Sequence, residues 1–123
     1  MNPYLNIARQ AIEKLYDGKC DIIEYKSNTN PKNNRTNFKE ETVLEKQPCK
    51  LSFEDINANN ETENQSNVIT KVKLFIAPEL NIKPGSKIIV TQKNRTTEYK
   101  NSGEPAVYDT HQEIMLEKFK GWA

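Results

Sequence analysis

Lys73-Leu-Phe-Ile-Ala-Pro-Glu-Leu-Asn-Ile-Lys-Pro-Gly-Ser-Lys-Ile-Ile-Val-Thr-Gln92 decides the fold. An apolar run ends at a proline, Pro84-Gly85 supplies a turn, and a second apolar run follows. Lys93-Asn94 is the tip of a hairpin, because Asn tolerates positive φ. That register pairs Ile88 with Tyr99 and Val90 with Thr97 on one face, so the apolar partners agree. Ser102 to Tyr108 then leads into a last strand, about His111 to Phe119, with Ile114 and Leu116 on one side. A chain written as strand, turn and strand commits its apolar side chains to a core.

Upstream, Val68 to Ala77 is the strongest strand. Val68, Val72, Leu74 and Ile76 share one face, and Ile69 and Phe75 lie opposite, so both faces are partly covered. Gln47 to Phe53 alternates through Cys49, Leu51 and Phe53, with Pro48 placing its start at an edge or bulge. Lys39 to Leu44 reads as a weaker strand and Cys20 to Lys26 as the first. Ser27–Asn37 and Asp55–Asn67 are polar and Asn-rich, which predicts long exposed loops. At the start, Asn2-Pro3 suits a helix N-terminus. Leu5, Ala8, Ala11, Ile12 and Leu15 recur at helical spacing, with Arg9, Glu13 and Lys14 opposite, and Gly18 is the expected stop. The fold class is therefore mainly β: a small antiparallel β-barrel or sandwich with one N-terminal α-helix and long polar loops. It forms a single domain over 1–123, with the helix at about 3–16 and the barrel at about 20–119.

The 123 residues suit one modest core, and hydrophobic residues make up 35% with a mean hydropathy of −0.86. A chain this polar finishes its burial against partners or is partly disordered alone. Eighteen basic and 17 acidic residues nearly cancel, which lowers the expectation of a broad nucleic-acid footprint. No apolar stretch approaches the roughly 20 residues of a membrane span. The first residues lack the pattern of a signal peptide, so a reducing cytoplasm with free thiols is expected.

Candidate chemistry is sparse. His111 is the one histidine, near Asp109, and no Ser or Cys carries a nucleophile motif. Cys20 and Cys49 could meet across paired strands, but small buried thiols are the simpler reading. With one histidine and two cysteines, Cys and His alone cannot complete a zinc site of about four ligands. Glu61 and Glu63 lack the ligand spacing of a calcium loop. Lys83-Pro-Gly-Ser-Lys87 reads as a β-turn rather than a phosphate cradle, since no helix follows it. Trp122 either folds back on the barrel or contacts a neighbour. No catalytic, cofactor-binding or metal residue is assigned, and an enzyme is not expected.

The short helix, Cys20-Asp-Ile-Ile-Glu-Tyr-Lys26, Gln47-Pro-Cys-Lys-Leu-Ser-Phe53, Lys73 to Ser86 and Phe119-Lys-Gly-Trp-Ala123 together carry a resemblance. They are similar to the head-completion, or head-closure ("stopper"), proteins of tailed phages and prophage-like particles of Gram-positive bacteria. The resemblance implies a structural protein of the virion neck, made in the bacterial host cytoplasm. It implies a homo-oligomeric ring, twelve-fold or six-fold, in the head–tail connector, with portal and adaptor proteins above and the tail terminator below. The ring closes the channel over packaged DNA without sequence-specific contacts and offers the tail its docking face. No cofactor, membrane or catalytic residue is implied. Ser27–Asn37 and Asp55–Asn67 match the loops that reach the channel or neighbouring rings, and the isolated subunit is expected to be a monomer. The alternative is a small β-barrel binding single-stranded nucleic acid, with Tyr25, Tyr99 and Phe75 stacking bases and Lys71 and Lys73 supplying charge.

Overall fold

The computed structural model describes residues 3–29, 31–59 and 66–122. One helix, α1 (Pro3–Glu13), precedes seven strands: β1 (Gly18–Thr29), β2 (Thr36–Asn59), β3 (Ser66–Ile76), β4 (Lys87–Gln92), β5 (Arg95–Asn101), β6 (Ala106–Val107) and β7 (Gln112–Lys118). The sheet order is β3-β2-β1-β4-β5-β7-β6, and a further β3–β7 pairing joins its two sides. All pairings are antiparallel. The fold is mainly β, as expected. It is a barrel-like sandwich rather than a regular barrel, because β5 meets β7 at only Tyr99, Lys100 and Asn101.

The core follows from alternation. Ile22, Leu74, Ile76, Ile88, Val90 and Ile114 have no solvent exposure, and Leu51, Tyr99 and Leu116 complete the same interior. Cross-strand partners inside the wall are apolar on both sides, as in Ile22–Ile88, Leu51–Leu74 and Leu74–Ile114. The hairpin β4–β5 has the register read from sequence, with Ile88 opposite Tyr99 and Val90 opposite Thr97. Its tip places both Lys93 and Asn94 at positive φ, which matches the right-handed twist of a two-residue hairpin.

Two buried amides lay the connector between β3 and β4 onto the wall. Gln112 donates to the carbonyls of Ala77 and Leu80, and Asn101 donates to those of Ile82 and Lys83. Buried polar groups with partners of this kind fix one arrangement where an apolar side chain would allow several.

Several expectations change. The segments Lys39–Leu44 and Gln47–Phe53 are one strand of 24 residues, β2, rather than two. Register shifts between Cys20 and Ile22 and between Ile22 and Ile23 break its pairing with β1. At the first, Lys46 adopts φ 49 and donates its N–H to Asp21 Oδ1 at 2.9 Å. Bulges bend a strand and raise its twist, so β2 serves β1 with its first half and β3 with its second. Pro48 lies where no ladder bond is lost, since β3 begins to pair with β2 only at Cys49.

The two polar stretches are not long loops. Thr29 pairs with Thr36 and Asn59 with Ser66, so both ends of each stretch belong to a two-stranded ribbon, with Asn30 and residues 60–65 outside the described residues. Cross-strand hydrogen bonding outweighs the weak β preference of Asn and Lys there. The helix ends at Glu13, with turns carrying the chain through Tyr16. Gly18 is not its stop. It opens β1, where an added Cβ would lie 3.1 Å from both the Cys49 carbonyl and Gln92 Oε1. Asn2 lies outside the described residues.

Candidate docking surfaces

His111, the two cysteines and the cations of the Lys83–Lys87 turn, tested for chemistry on sequence, are each engaged structurally. His111 is partnered by Thr110 and Glu113 rather than by Asp109: Thr110 Oγ1 is 3.0 Å from Nδ1 and Glu113 Oε2 is 3.0 Å from Nε2. Hydrogen bonding to His111, helped by the Lys73 cation, holds the Glu113 carboxyl below its ordinary range. An ionised carboxylate only accepts, so Nε2 carries the hydrogen and Nδ1 accepts from the threonine hydroxyl. Phe75 and Tyr108 flank the ring at 5.5 and 5.0 Å. Both ring nitrogens therefore have hydrogen-bond partners within the fold.

Cys20 and Cys49 do meet, and both are buried free thiols. The hydrogen bond to Cys49, then burial, pushes the Cys20 thiol well above its usual range, which keeps Cys20 protonated. Lys83 to Ser86 is the expected turn, with Gly85 at φ 84 and Ser86 N–H donating to the Lys83 carbonyl. Its flanking cations are already neutralised: Lys83 by Glu24, and the mostly buried Lys87 by Glu40 and Glu98. Among the described residues no three His, Cys, Asp or Glu side chains gather as metal ligands. Glu61 and Glu63 lie outside those residues.

What the molecule presents instead is uncovered surface. Helix α1 buries no residue. Leu15 is 63% exposed and Ile7 66%, and Leu5, Ala8 and Ala11 are exposed beside them. Arg9 tethers the helix, bonding Glu13 at 2.7 Å and Glu79 at 2.6 Å. The Arg9 bond lowers the Glu79 carboxyl below its ordinary 4.5. Half-buried Ile12 and Tyr16 lie on the same side as Arg9, and burial pushes the Tyr16 hydroxyl up to about 12. The broad apolar stripe thus faces solvent, where an amphipathic helix would ordinarily turn it to a core.

The β1–β2 ribbon is the first arm. Beyond Ile23 it loses β4 and continues as two strands from Glu24–Glu41 to Thr29–Thr36. Lys26 relieves the facing carboxylates of Glu24 and Glu41 by contacting both. At its root Phe38 stacks on Tyr25, Tyr25 stacks on Trp122 at 4.8 Å, and Phe119 meets Trp122 edge-on. Of the two places open to Trp122 on sequence, it takes the fold-back onto its own barrel. The second arm is the β2–β3 ribbon from Glu54–Lys71 to Asn59–Ser66.

Beside the root of the second arm, a depression of about 690 Å³ opens at one end of the barrel. Leu51, Phe53 and Tyr99 contribute apolar atoms, and Lys50, Lys93, Arg95 and Lys118 ring it with no carboxylate in the lining. The Gln92 amide oxygen accepts from Leu51 N–H at 2.8 Å and pins the β4–β5 tip to β2 there. Sequence reading missed this basic mouth. Its four cations come from three separate stretches, Lys93 and Arg95 sharing one hairpin tip, and no local signal links that tip to Lys50 or Lys118.

No family model matches the chain, and no curated protein matches it. The solved structure of protein xkdH from the phage-like element PBSX of Bacillus subtilis is similar over 81% of this chain and 91% of its own, at 12% identity and a TM-score of 0.48.

Proposed function

We propose that the chain is a structural segment of the neck of a tailed phage or prophage-like particle. In this reading it forms a ring in the head–tail connector between portal or adaptor and tail terminator, closes the DNA channel and offers a docking face. The sequence resemblance supports it, and one structural observation carries it. His111 and the two cysteines are bound into the wall, whereas an apolar helix face is open to solvent and two ribbons extend beyond that wall. Two-stranded ribbons are marginal alone in water, and exposed apolar stripes of this kind mark contact surfaces. Such a part is completed by assembly rather than by a substrate.

The nucleic-acid alternative loses its stacking platform. Tyr99 is buried, Phe75 packs on His111 at the outer face, and Tyr25 is held between Phe38 and Trp122. The neck reading is tested by deleting the gene in the strain that encodes it and imaging the particles formed. DNA-filled heads without tails are expected, with attachment restored by the wild-type chain and gold-labelled antibody found at the head–tail junction. Intact tailed particles in the deletion strain would overturn it.

A further inference from the structure

The basic mouth stands where β2 loses a neighbour. Strand β1 begins at Gly18, opposite Cys49, so beyond Cys49 β2 is paired on its β3 side alone. Backbone groups of an antiparallel strand face its two sides in alternation. Leu51 turns its N–H away from β3, since that N–H bonds the Gln92 side chain at 2.8 Å. The next outward N–H and C=O are those of Phe53, and there no strand lies beside β2 among the described residues. Phe53 also keeps its ring 57% exposed. Lys50 reaches Asp17 at 3.8 Å, while Lys93, Arg95 and Lys118 stand exposed at the rim. A free sheet edge, an uncovered aromatic ring and four cations with no carboxylate in the lining thus meet in one depression.

We infer that this edge receives an extended, acidic segment of a neighbouring protein, which adds a strand to β2 at Phe53 and sets its carboxylates among Lys93, Arg95 and Lys118. Strand addition takes affinity from main-chain hydrogen bonds and specificity from the side chains beside the edge. The edge itself chooses between polyanions. It alternates N–H donors with C=O acceptors, and a peptide answers both, whereas a phosphodiester backbone brings acceptors only. Asp55 is exposed two residues further out, on the Phe53 side of β2, and repels a carboxylate there. The acidic residues of the segment therefore belong at the mouth end. The first ribbon has free edges too, but the depression beside it is lined by Glu40 and Glu41 along with Lys26 and Lys39, and so favours neither sign of charge. The inference gives the docking face of the proposed neck segment a partner chemistry, and it rests on that reading only for the partner's place in a particle.

The test follows backbone amide resonances of the isotope-labelled full chain as synthetic peptides are added. An acidic peptide of Glu, Asp and Val is expected to shift Phe53, Lys93 and Arg95 and to show cross-strand contacts with the Phe53 amide. The same peptide N-methylated at every residue keeps its charge but has no backbone donor, and is expected to bind about tenfold more weakly. A basic peptide is expected to leave these amides unmoved. Lys93→Glu/Arg95→Glu changes only exposed side chains, so its spectrum is expected to match the wild type away from the mouth, while acidic-peptide binding weakens about tenfold. The inference is overturned by the absence of a saturable shift up to about 1 mM peptide, by equal binding of the N-methylated form, or by shifts that map away from the mouth. An oligonucleotide, single-stranded or duplex, that moves the same amides at lower concentration than the peptide would overturn it in favour of nucleic acid. Shifts that grow with protein concentration alone would overturn it in favour of a second copy. Particle imaging judges the neck separately: tailless heads with failed peptide binding would leave the neck standing and remove this seat. Peptide binding with intact tailed particles in the deletion strain would support the seat and remove the neck.

Discussion

Ile114 on β7 and Leu15 beyond α1 are aliphatic side chains of equal size with opposite fates: one has no exposure, the other 63%. The barrel wall is satisfied largely internally, with apolar partners across its long ladders and amides on the connector. The helix leaves its apolar stripe in solvent, and the ribbons continue beyond the barrel as two strands. The difference separates residues that make the subunit fold from residues that make it assemble.

The largest test of that division is a matched pair of truncations. Ile114→Ala is expected to cost about 2–5 kcal/mol by denaturant unfolding, from lost burial plus the cavity left behind. Leu15→Ala is expected to move the isolated subunit by less than about 0.5 kcal/mol, yet reduce tail attachment when it replaces the wild-type gene. A large loss of subunit stability from Leu15→Ala would break the comparison, because it would place the helix within the core.

The arms differ from each other as well, since only the first is braced by aromatic rings. Trp122→Ala removes contacts to both Tyr25 and Phe119 and is expected to cost about 1–2 kcal/mol. Backbone amide exchange is expected to rise in Glu24–Thr29 and Thr36–Glu41 and to stay unchanged in β3. Equal acceleration in both arms would mean that the stack braces nothing locally.

The smallest effect belongs to the helix tether. Glu79 titrates below its ordinary 4.5 because Arg9 favours its charged form. A depressed carboxylate contributes stability above its unfolded value, and that stability is lost as pH falls through the folded value. Exchange in α1 is therefore expected to rise below about pH 4.5 and at neutral pH in Glu79→Gln, while global stability shifts by under about 0.5 kcal/mol, as for an exposed pair. An α1 equally protected in Glu79→Gln would show that Ile12 and Tyr16 hold it without the ion pair.

Much of the wall was legible because its period is local. Two-residue alternation and turn chemistry fixed β4, β5, β7 and the inner face of β3, with the register of the β4–β5 hairpin but not the pairing of β7. The continuous β2 was not legible, because its joint is a bulge at Lys46 that depends on Asp21 twenty-five residues away. Polar residues in the arms hid strands, since composition registers burial and a ribbon outside the barrel has none. The mouth was invisible for a related reason. Lys50, Lys93, Arg95 and Lys118 converge only after four strands have found their places.

Taken alone, the order of residues determined that the chain builds a β-rich body with an amphipathic helix and no catalytic motif, because side-chain alternation and turn preferences act over a few residues. Only the tertiary structure decided that the helix turns its apolar stripe outward, that the ends of the polar stretches pair as ribbons, and that Lys50, Lys93, Arg95 and Lys118 gather around one depression. Those outcomes depend on which distant surfaces meet, and sheet closure sets that through contacts between strands far apart in the chain.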